Sequence, residues 1–497
     1  MNFRIIPTLS YSLLVTQFAG CAVGPDYIKP SAGFPDAYKE VKGWKQAEPP
    51  EEFLPDKWWE IFKNPELNKL EEQVNSGSPS IAQAESQYKM SQSLVQSATS
   101  AYFPTASATI TTNRFRAASG QSVAVSGVKY LFGGVLSAAW APDLFGGLRR
   151  QVEANTSTAQ SRAATLHALR LTNQATLAQS YFQVRTLDTQ MKLFNETVAS
   201  YEKNLNITKN RYAAGVAAKS DIVQAETQLE SARAQAINLG IQRAQLEHAI
   251  AVLIGKTPAE FSLEVATLNT PVPPIPVSVP SKLLERRPDI AVAERAVAAA
   301  NAQIGVAKAA YFPNLNLAAS DGQQSTLLQN VVTQGARYYA LGPAALAIPL
   351  FDGGARSAVL QNSIDAYDAS VAGYRQAVLT SFQQVEDNLA ALRILEDEIQ
   401  VQNKATDAAH QAVQLTTNQY EAGTVSYLNV IVNQTAALTN DITAVNLKGQ
   451  RLSAAVLLVK ALGGGWDTSD LPTKEQAGGK IKWSQFLPIP VDIPSQK

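Results

Sequence analysis

The only thiol in this chain is Cys21, and its setting is the most specific chemical signal in the sequence. It follows Phe18-Ala19-Gly20 at the close of a leader. Arg4 supplies the positive start, and Ile5 to Val15 is a weak apolar stretch broken by Pro7, Thr8, Ser10 and Ser12. Small residues directly before a cysteine suit a processing step that acylates the thiol and makes Cys21 the new N-terminus. The plain alternative is an ordinary signal peptide over residues 1–20, with Cys21 incidental. Once acylated, the chain keeps no cysteine for a disulfide or for thiolate chemistry. His167, His248 and His410 lie far apart, and no His/Asp/Glu group has metal-ligand spacing. There is no Gly-x-Ser-x-Gly elbow. No catalytic residue, metal or cofactor is expected. Arg149, Arg150 and Arg356 are candidates for lipid head-group contact, or for solvating a helix end. With 42 basic and 42 acidic residues there is no basic footprint for nucleic acid.

The elements that must carry such residues occur twice. Pro79-Ser80-Ile81-Ala82-Gln83-Ala84-Glu85 returns as Pro288-Asp289-Ile290-Ala291-Val292-Ala293-Glu294. Ala101-Tyr102-Phe103-Pro104 returns as Ala310-Tyr311-Phe312-Pro313, and Arg211-Tyr212-Ala213-Ala214-Gly215 as Gln419-Tyr420-Glu421-Ala422-Gly423. Leu/Gly echoes follow near Gly255 and Gly463. The order of helix start, helix stop and turn repeats, so each half is one copy of a common unit. A duplicated wall of long helices without a reactive cluster reads as a conduit.

Within each copy the punctuation sets the elements. Asn64-Pro65 opens a helix that runs towards Tyr102 with an interruption at Gly77-Ser78-Pro79. After Pro104 the texture turns to Ala/Ser/Thr/Val, with Ala106, Ala108 and Ile110 on one side, which predicts a strand. A loop around Ala118–Ser122 separates it from a second extended segment ending near Trp140. The second copy is expected to give a strand from Asn314 to Ala319, a polar loop through Asp321–Gln334, and a strand from Tyr338 to Leu350. Trp140 and Tyr338-Tyr339 suit a membrane interface, with core packing as the alternative. Four strands cannot close a barrel alone, whereas sets from several copies can.

Residues 148–212 contain neither proline nor glycine and predict a helix approaching roughly 100 Å at about 1.5 Å per residue. Its partner carries a seam through Ile222, Ala225, Leu229 and Ala232, and the last helix a matching one through Leu428, Ile431, Leu438 and Ile442. Either this is an ordinary antiparallel coiled coil with no pore, or the Ala, Thr, Gln and Ser on its other faces line a wet interior. Gly215 and Gly423 end the incoming helices by accepting backbone angles that other residues resist. Ala214–Val216 and Ala422–Thr424 therefore mark a repeated tip where a partner can dock. Residues 22–62 read as an extended strap whose Trp44, Trp58 and Trp59 need a surface to pack on. Pro271-Val272-Pro273-Pro274-Ile275-Pro276 excludes regular helix or central strand.

Cys-Ala-Val-Gly-Pro-Asp-Tyr-x-x-Pro (Cys21 to Pro30), Trp58-Trp59, Arg287-Pro288-Asp289-Ile290, Ala310-Tyr311-Phe312-Pro313, Leu350-Phe351-Asp352-Gly353-Gly354 and the two Tyr-x-x-Gly tips stand in order along the whole mature chain. Together they resemble the outer-membrane factors of tripartite efflux systems, the TolC/OprM superfamily, in its NodT-type lipoprotein branch. The resemblance implies an α+β membrane protein forming a homotrimer: a 12-stranded outer-membrane β-barrel, four strands per protomer, continued by a long periplasmic α-helical barrel, each protomer internally duplicated. It implies a signal peptide at 1–20, a lipidated strap at 21–62, repeats at 63–255 and 286–463, a Pro-rich linker at 256–285 and a tail at 464–497. It also implies a periplasmic adaptor and a proton-coupled inner-membrane pump as partners, outer-membrane lipid around the barrel, and small-molecule cargo passing through without chemistry. Ala22 rather than Asp after Cys21 favours the outer membrane. A duct for one-step protein secretion is the near alternative, and a pore-free structural lipoprotein the distant one.

Where familiar members of that family place an acidic residue inside the closed end, this chain aligns Gln224 in the first copy and Val432 in the second, with Asp221 and Asn429 one turn nearer the tips. An apolar ring at Val432 excludes water and ions, where a carboxylate ring attracts cations. Asp221 is the remaining acidic gate candidate; its alternative role is to cap the outgoing helix.

Overall fold

The computed structural model describes residues 22–31, 33, 37–41, 56–116, 128–275 and 285–479. Cys21, its leader, Trp44, the loop around Ala118–Ser122 and the end of the tail lie outside them. The path begins at α1 (Pro65–Gly77), where the Asn64 side chain accepts from the Glu66 and Leu67 amides at 3.1 and 3.0 Å and Pro65 fills the first helical position. α2 (Pro79–Ser100) restarts the helix after Ser78. Strands β1 (Thr105–Arg116) and β2 (Val128–Trp140) follow, then α3 (Gly147–Ala213) and α4 (Lys219–Leu253). The second round has the same plan: α5 (Pro288–Ala309), β3 (Asn314–Ser325), β4 (Arg337–Ala347), α6 (Ala355–Glu421) and α7 (Tyr427–Ala461). A short α8 (Lys474–Ala477) closes the described chain. α3 and α6 are both 67 residues long and α4 and α7 both 35, so the duplication extends to the length of each helix.

The four strands form one antiparallel sheet in the order β1-β2-β3-β4. The polar loop expected from Asp321 is shorter than its composition predicts, because β3 continues to Ser325. Asp321 sits opposite Leu136 on one side and Tyr339 on the other, and the Arg337 guanidinium donates to both its oxygens at 3.1 and 3.0 Å. A cross-strand ion pair keeps a carboxylate in a strand, and single-strand composition carries no trace of it.

The main core is a belt around the middle of α3. Trp58, Trp59 and Phe62 pack there against Tyr181 and Phe182, joined by Leu452–Ala461 of α7, Leu462 just after it, and Tyr374–Leu392 of α6. The Trp58 indole donates to Gln174 Oε1 at 3.2 Å. The two described tryptophans of the strap thus find the surface they need. The described part of the Pro-rich stretch runs without regular structure to Ile275, which is buried with Leu263. A second, smaller core near the tips holds Tyr201, Leu205, Ala225, Leu229 and Ala232 with Tyr420, Tyr427 and Val430. Here the expected α7 seam is displaced: Tyr427, Val430, Gln434 and Ala437 are buried, while Leu428 is 54 % exposed. The aromatic ring of Tyr427 takes the inner position beside Tyr420, 5.2 Å between centroids, and turns Leu428 outward.

Glu71 is fully buried in α1 and neither carboxylate oxygen has a partner. Burial therefore holds its carboxyl well above the usual range. The folded state keeps a proton that the unfolded chain releases, so this group costs stability as pH rises past the ordinary glutamate range. Glu71→Gln is expected to raise thermal stability at pH 8 and to change little at pH 4, measured as melting temperature against pH.

Candidate functional site

The strap after Cys21 is held by several contacts, of which Arg150 makes the most. Arg150, 5 % exposed near the start of α3, donates from Nη2 to Asp26 at 2.7 Å and from Nη1 to Glu153 at 2.8 Å, and reaches the Val23 and Gly24 carbonyls at 3.4 Å. The Val23 amide donates to the Phe145 carbonyl at 3.0 Å, and Asn301 to the Pro25 carbonyl at 3.0 Å. Tyr27 donates to Glu294. A side chain on Gly24 would collide with Gly305, and one on Gly146 with Ala22, so glycine permits the close approach on both sides. This corrects the head-group reading for Arg150. Arg356 is likewise engaged, with Asp352 at 2.7 Å, and the amide of Arg149 donates to Asp143 at 2.8 Å.

The sheet register sorts side chains into two faces, since directly opposed residues share a side. Ala106, Ala108 and Ile110 stand opposite Ala138, Leu136 and Gly134, and Ala319 beyond them opposes Leu341. Trp140 ends this face near the helices, 39 % exposed, with its indole donating to the Tyr102 carbonyl at 3.0 Å. Tyr130, Phe132 and Tyr339 lie on it nearer the hairpin loops. The opposite face carries Thr105, Ser107, Thr109, Thr111 and Asn113, facing Ser137 and Gly133 among others. One side is mostly apolar with aromatics towards both ends, interrupted by the Asp321–Arg337 pair, Gln323 and the loop-end Arg114 and Arg116, and the other is rich in hydroxyls. That is the pattern of a sheet between lipid and water. Tyr338 and Tyr339, 42 % and 76 % exposed, are not core residues.

At the far end of the helices both tips close alike. Gly215 (φ 75°) and Gly423 (φ 80°) adopt the left-handed region. The Val216 amide reaches back to the Arg211 carbonyl and the Thr424 amide to that of Gln419, each at 3.0 Å. Ala214, Gly215, Val216, Ala422, Gly423 and Thr424 are all exposed. A link that sequence reading missed joins the two tips: Arg211 Nη1 donates to the Glu421 carbonyl at 3.0 Å, and its guanidinium lies 4.7 Å from the centre of the Tyr420 ring. The repeat-equivalent residue is Gln419, which carries no charge. Underneath, burial pushes the Tyr427 phenol up to about 12, with Tyr420, Tyr201 and the Asp221 carboxylate adding to the effect.

Asp221 is not the cap of α4; that position is Ala218, which offers no side-chain hydrogen bond. Asp221 lies in the first turn, where a carboxylate suits the helix dipole. Gln224 and Val432 occupy equivalent places in the two hairpins, as do Asp221 and Asn429. Gln224, Asn429 and Val432 are exposed in the protomer, Val432 by 59 %, and Asp221 is half-buried. His410 meets Asp441 at 2.9 Å, and among the described residues no three His, Cys, Asp or Glu side chains gather as a metal site. Among the described residues no helix is long and apolar enough to cross a membrane.

Comparison with known proteins agrees with this geometry. The Outer membrane efflux protein family pattern matches residues 70–256 and 279–464, one stretch for each round of elements. The toluene efflux pump outer membrane protein TtgF of Pseudomonas putida is 30 % identical over 467 residues, covering 92 % of this chain and 97 % of that protein. Outer membrane protein OprJ of Pseudomonas aeruginosa is 28 % identical, covering 92 % and 96 %. Among solved structures, the outer-membrane channel OprN superposes with a TM-score of 0.83 at 25 % identity, over 90 % of this chain and all of that one.

Proposed function

We infer the working assembly from one premise: this chain belongs to the outer membrane efflux protein family. It is an outer-membrane channel of the TolC/OprM type, a non-catalytic conduit in tripartite efflux that works with a periplasmic adaptor and an inner-membrane pump. Its helices make the large periplasmic part.

The finer reading is that three copies close one wall. The observation that carries it is the sheet order: β1 and β4 are both edges. Open edges leave unsatisfied amides in hydrocarbon, so a four-stranded sheet cannot remain alone in a membrane. The helices have matching flanks. α3 packs on α2, α4, α5 and α7, whereas α6 packs on α5 and α7 and turns Leu379, Ile394, Val401 and Leu415 outward. α4 turns out Ile237 and Ile241. The β4/α6 flank of one copy is thus offered to the β1/α2/α4 flank of the next. Because α3 and α6 are repeat equivalents, the joint of α3 with α5 and α7 supplies the template for that of α6 with α2 and α4 of a neighbour. Three such joints give twelve strands around a lumen lined by the hydroxyl-rich face.

On this reading Cys21 is acylated. The docked strap supports it, since Ala22 lies against Gly146 at the junction of sheet and helix, where a lipid chain enters the periplasmic leaflet. The domains divide as the repeats do, 63–255 and 286–463, with strap, linker and tail as a belt. The cargo is small molecules. The tips, Ala214–Val216 and Ala422–Thr424, meet the adaptor. Cysteines placed there are expected to cross-link to it; efficient links only from mid-helix positions exclude that contact. Asp221, Gln224, Asn429 and Val432 form the resting gate, with Val432 the apolar constriction. Discrete conductance steps are expected from the purified protein in planar bilayers, larger for Val432→Gly. Absence of steps refutes the conduit, and unchanged steps in the variant refute the constriction.

A further inference from the structure

The loop end of the sheet is cationic on its lipid side. Within 105–140 and 314–347 the charged residues are Arg114, Arg116, Lys129 and Arg337 against the single carboxylate of Asp321. The loops 117–127 and 326–336 contain no acidic residue that could neutralise them. Arg116 ends β1 and Arg337 begins β4, so both lie at the loop ends, away from the helices. The register places Arg114 opposite Tyr130 and Arg116 opposite Val128, on the same face as Ala106, Ala108 and Ile110. Arg337 stands opposite Gln323, which opposes Gly134 and through it Ile110, so it lies three strands from Arg114 and four residues away in register, apart from the β1 pair. Lys129 opposes Phe115, on the hydroxyl-rich face.

Only Arg337 has a carboxylate partner, Asp321. Arg114 lies 5.6 Å over the Tyr130 ring, and among the described residues neither Arg114 nor Arg116 forms an ion pair. Guanidinium groups directed outward from a barrel wall cannot end in hydrocarbon, and here they stand at the level of the loop-side aromatics Tyr130 and Phe132. Like charges gathered on such a surface need anions, and the planar guanidinium pairs best with phosphate. In the outer leaflet of an outer membrane the anions at that depth are phosphates on a saccharolipid.

We propose that Arg114 and Arg116 form a binding site for the phosphate groups of outer-leaflet lipopolysaccharide. The site rests on the barrel described above, not on the gate or the tips. It binds by charge-assisted hydrogen bonds and takes the place of the divalent cations that otherwise hold neighbouring phosphates together. The test is titration of the purified full-length channel with lipopolysaccharide and with its dephosphorylated form, followed by native mass spectrometry. The unaltered protein is expected to prefer the phosphorylated form, and Arg114→Gln/Arg116→Gln to lose at least about tenfold in affinity. Arg→Lys at both positions restores only part of that loss, and Arg337→Gln or Lys129→Gln, away from the pair, changes little. Equal binding of both lipid forms, or equal affinity in the glutamine variants, overturns the proposal. So does displacement of the lipid by inorganic phosphate alone at millimolar concentration, which marks a free-ion site. If the glutamine variants fail to assemble, the two lipid forms on the unaltered protein decide. Conductance steps recorded from the same preparations separate loss of this site from failure of the channel.

Discussion

Gly463→Val is expected to leave almost no assembled channel. Gly463 follows α7 at φ 100°, a backbone region that valine resists, and any Cβ there would fall inside the Arg286 carbonyl. The obstacle is main chain, so no rotamer change relieves it. Left-handed strain plus a backbone clash costs about 3 kcal/mol or more. The repeat equivalent, Gly255 at φ 74°, meets the Gly77 carbonyl in the same way, so each copy ends its return helix against the chain just before the equivalent helices α2 and α5. Gly255→Val is expected to behave alike. Gly215→Val is the control: it shares the positive φ but has open space around it, and it should retain the assembled state. Heat-resistant oligomer on a gel and conductance from the same preparation check the contrast. Comparable yields from Gly463→Val and Gly215→Val refute the steric account.

The second large effect belongs to Asp188. Its carboxylate is buried in α3 and accepts from Arg185 Nη1 at 2.9 Å, Arg243 Nε of α4 at 2.7 Å and the Ala266 amide at 3.1 Å. Arg185 in turn binds Glu66 of α1 and the Glu264 carbonyl, each at 2.5 Å, and Arg243 binds Glu247 at 2.5 Å. One carboxylate therefore ties α1, α3, α4 and the extended segment after α4 together. Asp188→Ala leaves two guanidinium groups short of their shared counter-charge in a dry site, a loss of about 3–5 kcal/mol. Hydrogen exchange should show residues 262–268 opening first, because Ala266 loses its amide acceptor while the neighbouring Leu268 amide rests on the Thr189 hydroxyl at 2.8 Å. Uniform exchange along the chain, with 262–268 no faster than elsewhere, would falsify this assignment.

Most of the scaffold was legible because its signals are local. Pro65, Pro79 and Pro288 start helices, Gly215 and Gly423 stop them, and 148–212 reads as unbroken helix from the absence of both residue types. The duplication supplied the second copy of every boundary. What stayed hidden depends on partners distant in sequence. Arg150 reads as a surface cation until Asp26 is seen folded onto it. Asp321 reads as loop until Arg337 stands opposite. Leu428 matches a heptad seam by spacing, yet the larger Tyr427 wins the inward position. Asp221 matches a capping residue by type, but the chain enters α4 three residues earlier, at Ala218. The Arg211 link between tips joins residues of the two copies, and neither copy alone displays it.

The unequal burial of α3 and α6 bears on biogenesis. One helix is enclosed as soon as a single chain folds, while its twin displays Leu379, Ile394, Val401 and Leu415 to solvent. A newly exported polypeptide is then sticky along a strip tens of ångströms long, and it competes between meeting its own kind and being degraded. Survival of the product should rise faster than linearly with synthesis rate, so the gene dosage at which channels first accumulate is set by that strip and not by the pore.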